Sequence, residues 1–173
     1  TKPLELILKS VEKKKIKILQ RSSGWSEYIG DAKITMLSPK KQEKHRTANA
    51  HSIVLLLGTN NRTVLFTGDI DEKKITELSG QLPKTIDIME LPHHGQWSVE
   101  SNKLVHNNCP AVLIQSTNIA RHAKDSWAIP PKTQRFVTAI DGTITSIIYE
   151  SGRIEVLGSR LPATMPRCQF YKQ

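Results

Sequence analysis

Cysteine is scarce in this 173-residue chain, and no long apolar run occurs in it. The two cysteines, Cys109 and Cys168, lie far apart without a CxxC spacing, which excludes a zinc ribbon and a disulfide framework. The longest apolar run, residues 53–57, is far below the roughly 20 residues that span a bilayer. The chain also lacks a signal pattern and an initial methionine, so we expect a soluble piece of a longer product.

Basic residues outnumber acidic ones, 25 to 16, and the formal net charge is +9. This excess favours a polyanionic partner, either nucleic acid or an acidic membrane surface. Part of it is concentrated at residues 13–17 and 40–46, and such clusters are also typical of solvated faces that bind nothing. Charge alone therefore indicates a class of partner and leaves its binding site undefined.

The hydrophobic pattern predicts an α+β chain in which helices pack on a sheet. Helices are expected at residues 4–11, 72–78, 98–107 and 132–139. Strands are expected at residues 15–19, 34–38, 52–57, 63–66, 86–89, 111–115, 143–149 and 153–157. Asn60-Asn61 and Ser151-Gly152 are turn signals for hairpins, and Asp71 is a helix cap. The segment 52–57, the most hydrophobic, is predicted to be a central strand.

Asp69 and the pair His93-His94 are the most informative polar residues. Each follows a predicted strand, and side chains at strand ends can converge at one edge of a sheet. A carboxylate and an imidazole placed there suit zinc, manganese or iron, and Gly68 and Gly95 would let the backbone approach them closely. Taken locally, the aspartate is equally a turn former or helix cap, and the histidines are equally a surface pair or a hydrogen-bonded core pair.

Three segments, in this order, resemble the metallo-β-lactamase superfamily. They are NAHSIVLLL at residues 49–57, TVLFTGD at 63–69 and IDIMELPHHG at 86–95. More narrowly, they are similar to the C-terminal hydrolase domain of ComEC-type competence proteins and their stand-alone relatives. The resemblance implies half of an αββα sandwich, with a mixed sheet and helices on its outer face, over residues 1–160. Residues 161–173 are expected to form an irregular tail.

The resemblance also implies a catalytic set of Asp69, His93 and His94. Asp69 matches an aspartate that binds or bridges metal, His94 matches the last metal ligand, and His93 lies beside it near the leaving phosphate. His51 falls near a third metal-binding motif, although it directly precedes the serine instead of standing a few residues before it, and it is equally a histidine that flanks the strand. Asn49 is implied as a hydrogen-bond partner of the site. The implied cofactors are two divalent metal ions, Zn or Mn.

The implied reaction is hydrolysis of a phosphodiester in DNA or RNA by a metal-bound hydroxide. Trp97 is expected to stack on a base and Arg121 to lie in a polar loop near the substrate. Trp97 is equally suited to packing at the start of a helix. Lactam, thioester and phosphocholine ester hydrolysis stay open as alternatives, because substrate loops vary on this fold.

One motif of the superfamily, HxHxDH, is absent from these 173 residues. Two hypotheses follow. In the first, the chain is the C-terminal half of a hydrolase, and an N-terminal half of the same domain packs against it and supplies the motif. In the second, it is a degenerate, non-catalytic nucleic-acid-binding or interaction module that retains the fold. ComEC proteins carry transmembrane helices and their stand-alone relatives do not, so a membrane-attached and a cytoplasmic bacterial protein both fit, in any oligomeric state.

Overall fold

A seven-stranded mixed sheet organises the part of the chain that the computed structural model describes, residues 2–42, 47–160 and 168–170. Its strands, in spatial order, are β1 (Ser26–Ile29), β2 (Ala32–Ser38), β3 (Val54–Thr59), β4 (Arg62–Phe66), β5 (Ile88–Glu90), β6 (Val112–Gln115) and β7 (Gln134–Val137). Neighbours from β1 to β4 are antiparallel, and neighbours from β4 to β7 are parallel. The carboxyl ends of β4, β5 and β6 therefore meet at one edge of the sheet.

The helices are, in chain order, α1 (Lys2–Lys13), α2 (Glu72–Ser79), α3 (Val99–Asn108), α4 (Ile119–His122) and α5 (Thr138–Asp141). Of these, α2 and α3 contribute buried side chains to a core on one face of the sheet. Ile75 of α2 and Leu104 of α3 join Leu65 and Leu113 of the sheet in one buried core. Asp71 caps α2 by accepting the backbone N–H of Lys74, as predicted.

A second, three-stranded sheet covers the opposite face. It contains β8 (Ile144–Ile148), β9 (Ile154–Gly158) and β10 (Cys168–Phe170), all antiparallel. Ile154 and Val156 of β9 pack against Val64, Ile88 and Val112 in a second buried core. The mixed sheet with helices packed on it was expected from the sequence, whereas the second sheet on its other face was not. Of the segment predicted to be an irregular tail, residues 168–170 form β10 and the rest lies outside the described residues.

Two predicted elements are wrong. Residues 15–19 form no strand: Lys15 has φ +52° at the end of α1, and Ile16 and Ile18 are exposed, so their alternation serves no buried sheet face. Residues 132–139 are not a helix but β7 followed by the short α5. Pairing with β6 buries Phe136 and Val137, and this tertiary gain outweighs local preference.

The hairpins follow the predicted turns. Asn60 and Asn61 both have positive φ, +49° and +59°, as a two-residue turn between β3 and β4 requires. The strand β1 was not predicted from the sequence, and it forms a hairpin with β2 through the turn at Gly30-Asp31. Within the described residues, no helix has both the length and the apolar character needed to cross a membrane.

Candidate metal centre

The three segments that carry the sequence motifs meet at the carboxyl edge of the parallel strands. Residues 67–69 follow β4, residues 91–95 follow β5, and residues 49–53 lead into β3, whose start lies at the same edge because β3 is antiparallel to β4. A Cβ added to Gly68 would lie 3.2 Å from the carbonyl oxygen of Ile53 and 3.4 Å from Cβ of Ser52. The segments are therefore in direct contact, and Gly68, with φ +56°, permits their close approach.

Glu90 fixes the turn that presents Asp69. Its carboxylate accepts hydrogen bonds from the backbone N–H groups of Thr67 (3.2 Å) and Gly68 (3.3 Å). The Thr67 hydroxyl in turn donates to the carbonyl of Glu90 (3.1 Å), and Thr67 is fully buried. Asp69 then emerges with 43% of its side chain exposed. Sequence reasoning missed Glu90, although an acidic residue at the end of an apolar strand was a visible signal.

The two histidines occupy a strained turn. His93 and His94 have φ of +51° and +60°, and Gly95 follows with +77°. Left-handed backbone at a non-glycine residue costs on the order of 1–2 kcal/mol and persists only where the surroundings hold it. The backbone N–H of His93 donates to the carbonyl of Gly68 (2.9 Å), which ties this turn to the turn before Asp69.

Three side chains from later in the chain donate to three successive carbonyls of this turn. Arg121 donates to His93 (3.3 Å), Gln115 to His94 (3.2 Å) and Trp127 to Gly95 (2.8 Å). Gln115 and Trp127 are buried, 1% and 9% exposed. These contacts hold each residue of the turn by its own hydrogen bond, and we call the three donors the carbonyl clamp.

A buried ion pair supports the clamp. Arg135 donates to the side-chain oxygen of Gln115 and is paired with Asp125, whose side chain is 5% exposed. This fixes the orientation of the Gln115 amide, because its oxygen faces Arg135 and its nitrogen faces the turn. Sequence reasoning missed Gln115, Trp127 and Arg135. The available signal was a glutamine closing an otherwise apolar strand, where a buried polar group needs partners.

Asp69 and His94 are brought together. Nε2 of His94 lies 3.4 Å from a carboxylate oxygen of Asp69, and both side chains are about half exposed, 50% and 43%. Nδ1 of His94 lies 3.0 Å from the carbonyl of Ser116 and must be the donor, since a carbonyl only accepts. With a proton on Nδ1, Nε2 faces the carboxylate either as a lone pair, which a cation between the two groups would satisfy, or as a second N–H that donates to Asp69.

The spacing of this pair suits a metal ion. Two ligand atoms that each lie about 2.0–2.1 Å from a tetrahedral zinc are about 3.4 Å apart, the separation that the structure shows. A histidine that donates its other nitrogen to a backbone carbonyl is the usual form of a metal-binding histidine. Within residues 2–42, 47–160 and 168–170, no group of three or more His, Cys, Asp and Glu side chains is arranged to hold a metal. The described residues thus supply two neighbouring candidate ligands.

Asn49 and His93 lie in contact with one another beside this pair. Nδ2 of Asn49 is 3.4 Å from Nε2 of His93, which places Asn49 against the turn, and its supporting role stays a prediction. Thr47, Asp71, His93 and Gln96 are among the residues lining a cleft of about 430 Å³ on this side of the turn. His51 is exposed at the end of a single 3₁₀ turn, Asn49–His51, and its role stays a prediction.

Trp97 and Arg121 share a second cleft on the other side of the turn. It has a volume of about 440 Å³ and begins at Gly95. Trp97 is 47% exposed, and Arg121 is exposed as well. The structure therefore brings together the two residues that the sequence proposed for nucleic-acid contact.

A solved protein structure shares the fold of this chain. The chain is similar in structure to a protein of Parabacteroides distasonis whose assignment as a metal-dependent hydrolase is provisional, with a TM-score of 0.50 and 15% identity. The match covers 75% of this chain and 61% of that one, and it shows a shared fold.

In sequence, the chain is similar to Recombination protein 2 of Haemophilus influenzae, with 28% identity over 126 residues. That match covers 72% of this chain but only 16% of the Haemophilus protein. No family model matches the chain.

Proposed function

We propose that this chain is the C-terminal half of a metallo-β-lactamase-type hydrolase of the ComEC-like group, and that the hydrolase cleaves phosphodiester bonds in DNA or RNA. The single observation that supports it most is the Asp69–His94 pair, 3.4 Å apart on two turns that the rest of the chain holds in place. A divalent zinc or manganese ion would be held by Asp69 and His94, with His51 as a further candidate ligand. Bound there, it would supply Lewis-acid activation of water and neutralise charge on the phosphate.

The chain's own residues have defined tasks in this proposal. Ser116 keeps the proton of His94 on Nδ1, so that Nε2 stays available as a ligand. Glu90 and the carbonyl clamp keep Asp69 and His94 at ligand spacing. His93 contacts Asn49 and lines the cleft of about 430 Å³. From there it would contact the leaving phosphate. The net charge of +9 would attract the polyanionic substrate. The recombination that names the Haemophilus relative is a process of DNA, which favours a nucleic acid over other substrates.

The proposal includes an N-terminal half that completes the site. Apolar side chains beside the site support it, because Ile53 is 56% exposed and Phe66 is 44% exposed. Ile53 touches the Gly68 turn through its carbonyl, and Phe66 pairs with Leu55 across β3 and β4. Adjacent exposed apolar groups of this kind mark surfaces that other protein covers.

The test is a nuclease assay of the full-length gene product with Asp69→Ala and His94→Ala, each beside a chelator control. We expect each substitution to lower the rate by on the order of 100-fold or more and to lower bound metal measured by mass spectrometry. Asp31→Ala and His106→Ala are the matched controls, because they remove an exposed carboxylate and an exposed imidazole away from the pair. Activity and metal content that survive both site substitutions would overturn the proposal. Nucleic-acid binding without chelator-sensitive hydrolysis would instead favour the non-catalytic module.

A further inference from the structure

The cleft that begins at Gly95 has the composition of a base-binding site. Its lining includes Gln96, Trp97, Asn118, Arg121 and Lys124, in a volume of about 440 Å³. We propose that this cleft is a subsite for an unstacked base and its flanking phosphate, so that the substrate is single-stranded nucleic acid. The proposal rests on the function proposed above and narrows its substrate class.

The two tryptophans near the histidine turn have different roles. Trp127 is 9% exposed, and its indole N–H donates to the carbonyl of Gly95, so it is part of the scaffold. Trp97 leaves 47% of its surface exposed, directly before the capping residue of α3, Ser98. An exposed indole wall in a cleft offers a stacking surface to any base, because every base has an aromatic face.

The charge of the cleft suits the sugar-phosphate backbone. Arg121 and Lys124 are exposed in its lining, and both carry positive charge. The acidic residue in the lining, Asp125, is 5% exposed at its side chain and is neutralised by Arg135. The accessible charge is therefore positive, as contact with phosphates requires.

The position of the cleft connects it to the metal pair. Arg121 lines the cleft and also donates to the carbonyl of His93 (3.3 Å). Trp97 follows His94 by three residues, which span at most about 11 Å when extended. A base stacked on Trp97 would thus hold a neighbouring phosphodiester close to Asp69 and His94. A base within a duplex is already stacked and paired, and would first have to be flipped out to reach the indole.

The proposal is tested by binding without hydrolysis. Fluorescence anisotropy of labelled oligonucleotides, single-stranded and duplex, is measured on the full-length protein with chelator present. We expect Trp97→Ala to weaken single-strand binding by about 5- to 100-fold and Trp97→Phe by less than about threefold, since phenylalanine keeps a stacking face. Duplex binding should change less than about twofold in both variants.

A matched pair of lysines tests the charge of the cleft. Lys124→Ala should weaken single-strand binding more than Lys103→Ala, because both lysines are exposed but only Lys124 lines the cleft. Equal losses for the two lysines, or equal effects of Trp97→Ala on single strands and duplex, would overturn the subsite even if chelator-sensitive hydrolysis were intact. If the full-length protein showed no chelator-sensitive hydrolysis but the variants of Trp97 and Lys124 changed single-strand binding as expected, the metal proposal would be overturned and the subsite proposal retained.

Discussion

The edge of the sheet that carries Asp69 and His94 differs sharply from the N-terminal segment, residues 2–29. At the sheet edge, strained turns are held by Glu90 and the carbonyl clamp over a fully buried core. In the N-terminal segment, large apolar side chains lie exposed on α1, on the connection after it and on β1: Leu6, Ile7, Leu8, Ile16, Ile18, Leu19, Tyr28 and Ile29.

The difference shows which part of the chain is stabilised by contacts within the chain itself. Strained backbone persists only where its surroundings over-determine it, so the sheet edge is stabilised by contacts within this chain. A group of exposed apolar side chains gains little from folding until another surface covers it. We therefore expect the N-terminal segment to pack against the proposed N-terminal half, and the site residues to be ordered before that half arrives.

Removing buried volume beneath the site should give the largest effect. Leu113 in β6 is fully buried in the helix-side core, whereas Leu6 in α1 is 65% exposed. We expect Leu113→Ala to lower the free energy of unfolding by about 2–5 kcal/mol and Leu6→Ala to change it by less than about 0.5 kcal/mol. Urea unfolding of the 173-residue chain, followed by circular dichroism, measures both.

The Leu6→Ala variant can also contradict the conclusion that α1 is unpacked in this chain. A loss above about 1 kcal/mol for Leu6→Ala in this chain would mean that α1 is already packed here. If Leu6→Ala leaves the free energy of unfolding of this chain unchanged but lowers that of the full-length protein, the N-terminal segment packs against another part of that protein.

Alanine substitutions at two glycines with positive φ should distinguish the energetic cost of backbone strain from the cost of steric overlap. A Cβ at Gly95 would lie 2.3 Å from the amide nitrogen of buried Gln115, whereas a Cβ at Gly24 meets nothing within 4 Å. Both substitutions to alanine carry the left-handed penalty of about 1–2 kcal/mol. Gly95→Ala should cost about 1–3 kcal/mol more, because the well-packed clamp must shift. Thermal or urea unfolding compares the two variants.

A double variant identifies the clashing group. In a Gln115→Ala background the overlap is gone, so Gly95→Ala should then cost no more than Gly24→Ala, and the two changes should show a coupling of about 1–3 kcal/mol. Strict additivity would show that Gln115 does not confine the turn.

The convergence of Asp69 and His94 could be predicted from the sequence because it depends on local signals. Each residue ends an apolar strand at a glycine-containing turn, and parallel strands bring such ends to one edge. Asn49 was predicted to be a hydrogen-bond partner of the site and Arg121 to lie near the substrate; both contact His93 in the structure, and their roles stay predictions.

The supporting residues could not be predicted in this way. Gln115 and Trp127 contact the turn from about 20 and 30 residues further along the chain, so only the folded chain shows why they are there. The error over residues 132–139 has the same cause, since the pairing that makes them β7 lies with β6 and not within the segment.

The smallest expected effect concerns an ionic contact between the segment that follows β2 and helix α2. Lys40, which follows β2, and Lys74 of α2 both donate to the carboxylate of Glu77. The hydrogen bond from Lys40, and after it the one from Lys74, holds the pKa of Glu77 below its ordinary value of 4.5. Because the folded protein then binds this proton less readily than the unfolded chain, the stabilisation is present above about pH 4.5 and is lost as the pH falls through the lowered pKa.

Glu77→Gln should therefore cost about 1 kcal/mol or less at neutral pH, and the cost should shrink towards zero in acid. Glu72→Gln is the control, because it removes an exposed carboxylate from the same helix. Urea unfolding of both variants and the parent from pH 7 to pH 3 measures the difference. A cost for Glu77→Gln that stays constant over this range would show that the charge of the carboxylate adds nothing to the stability of the folded chain.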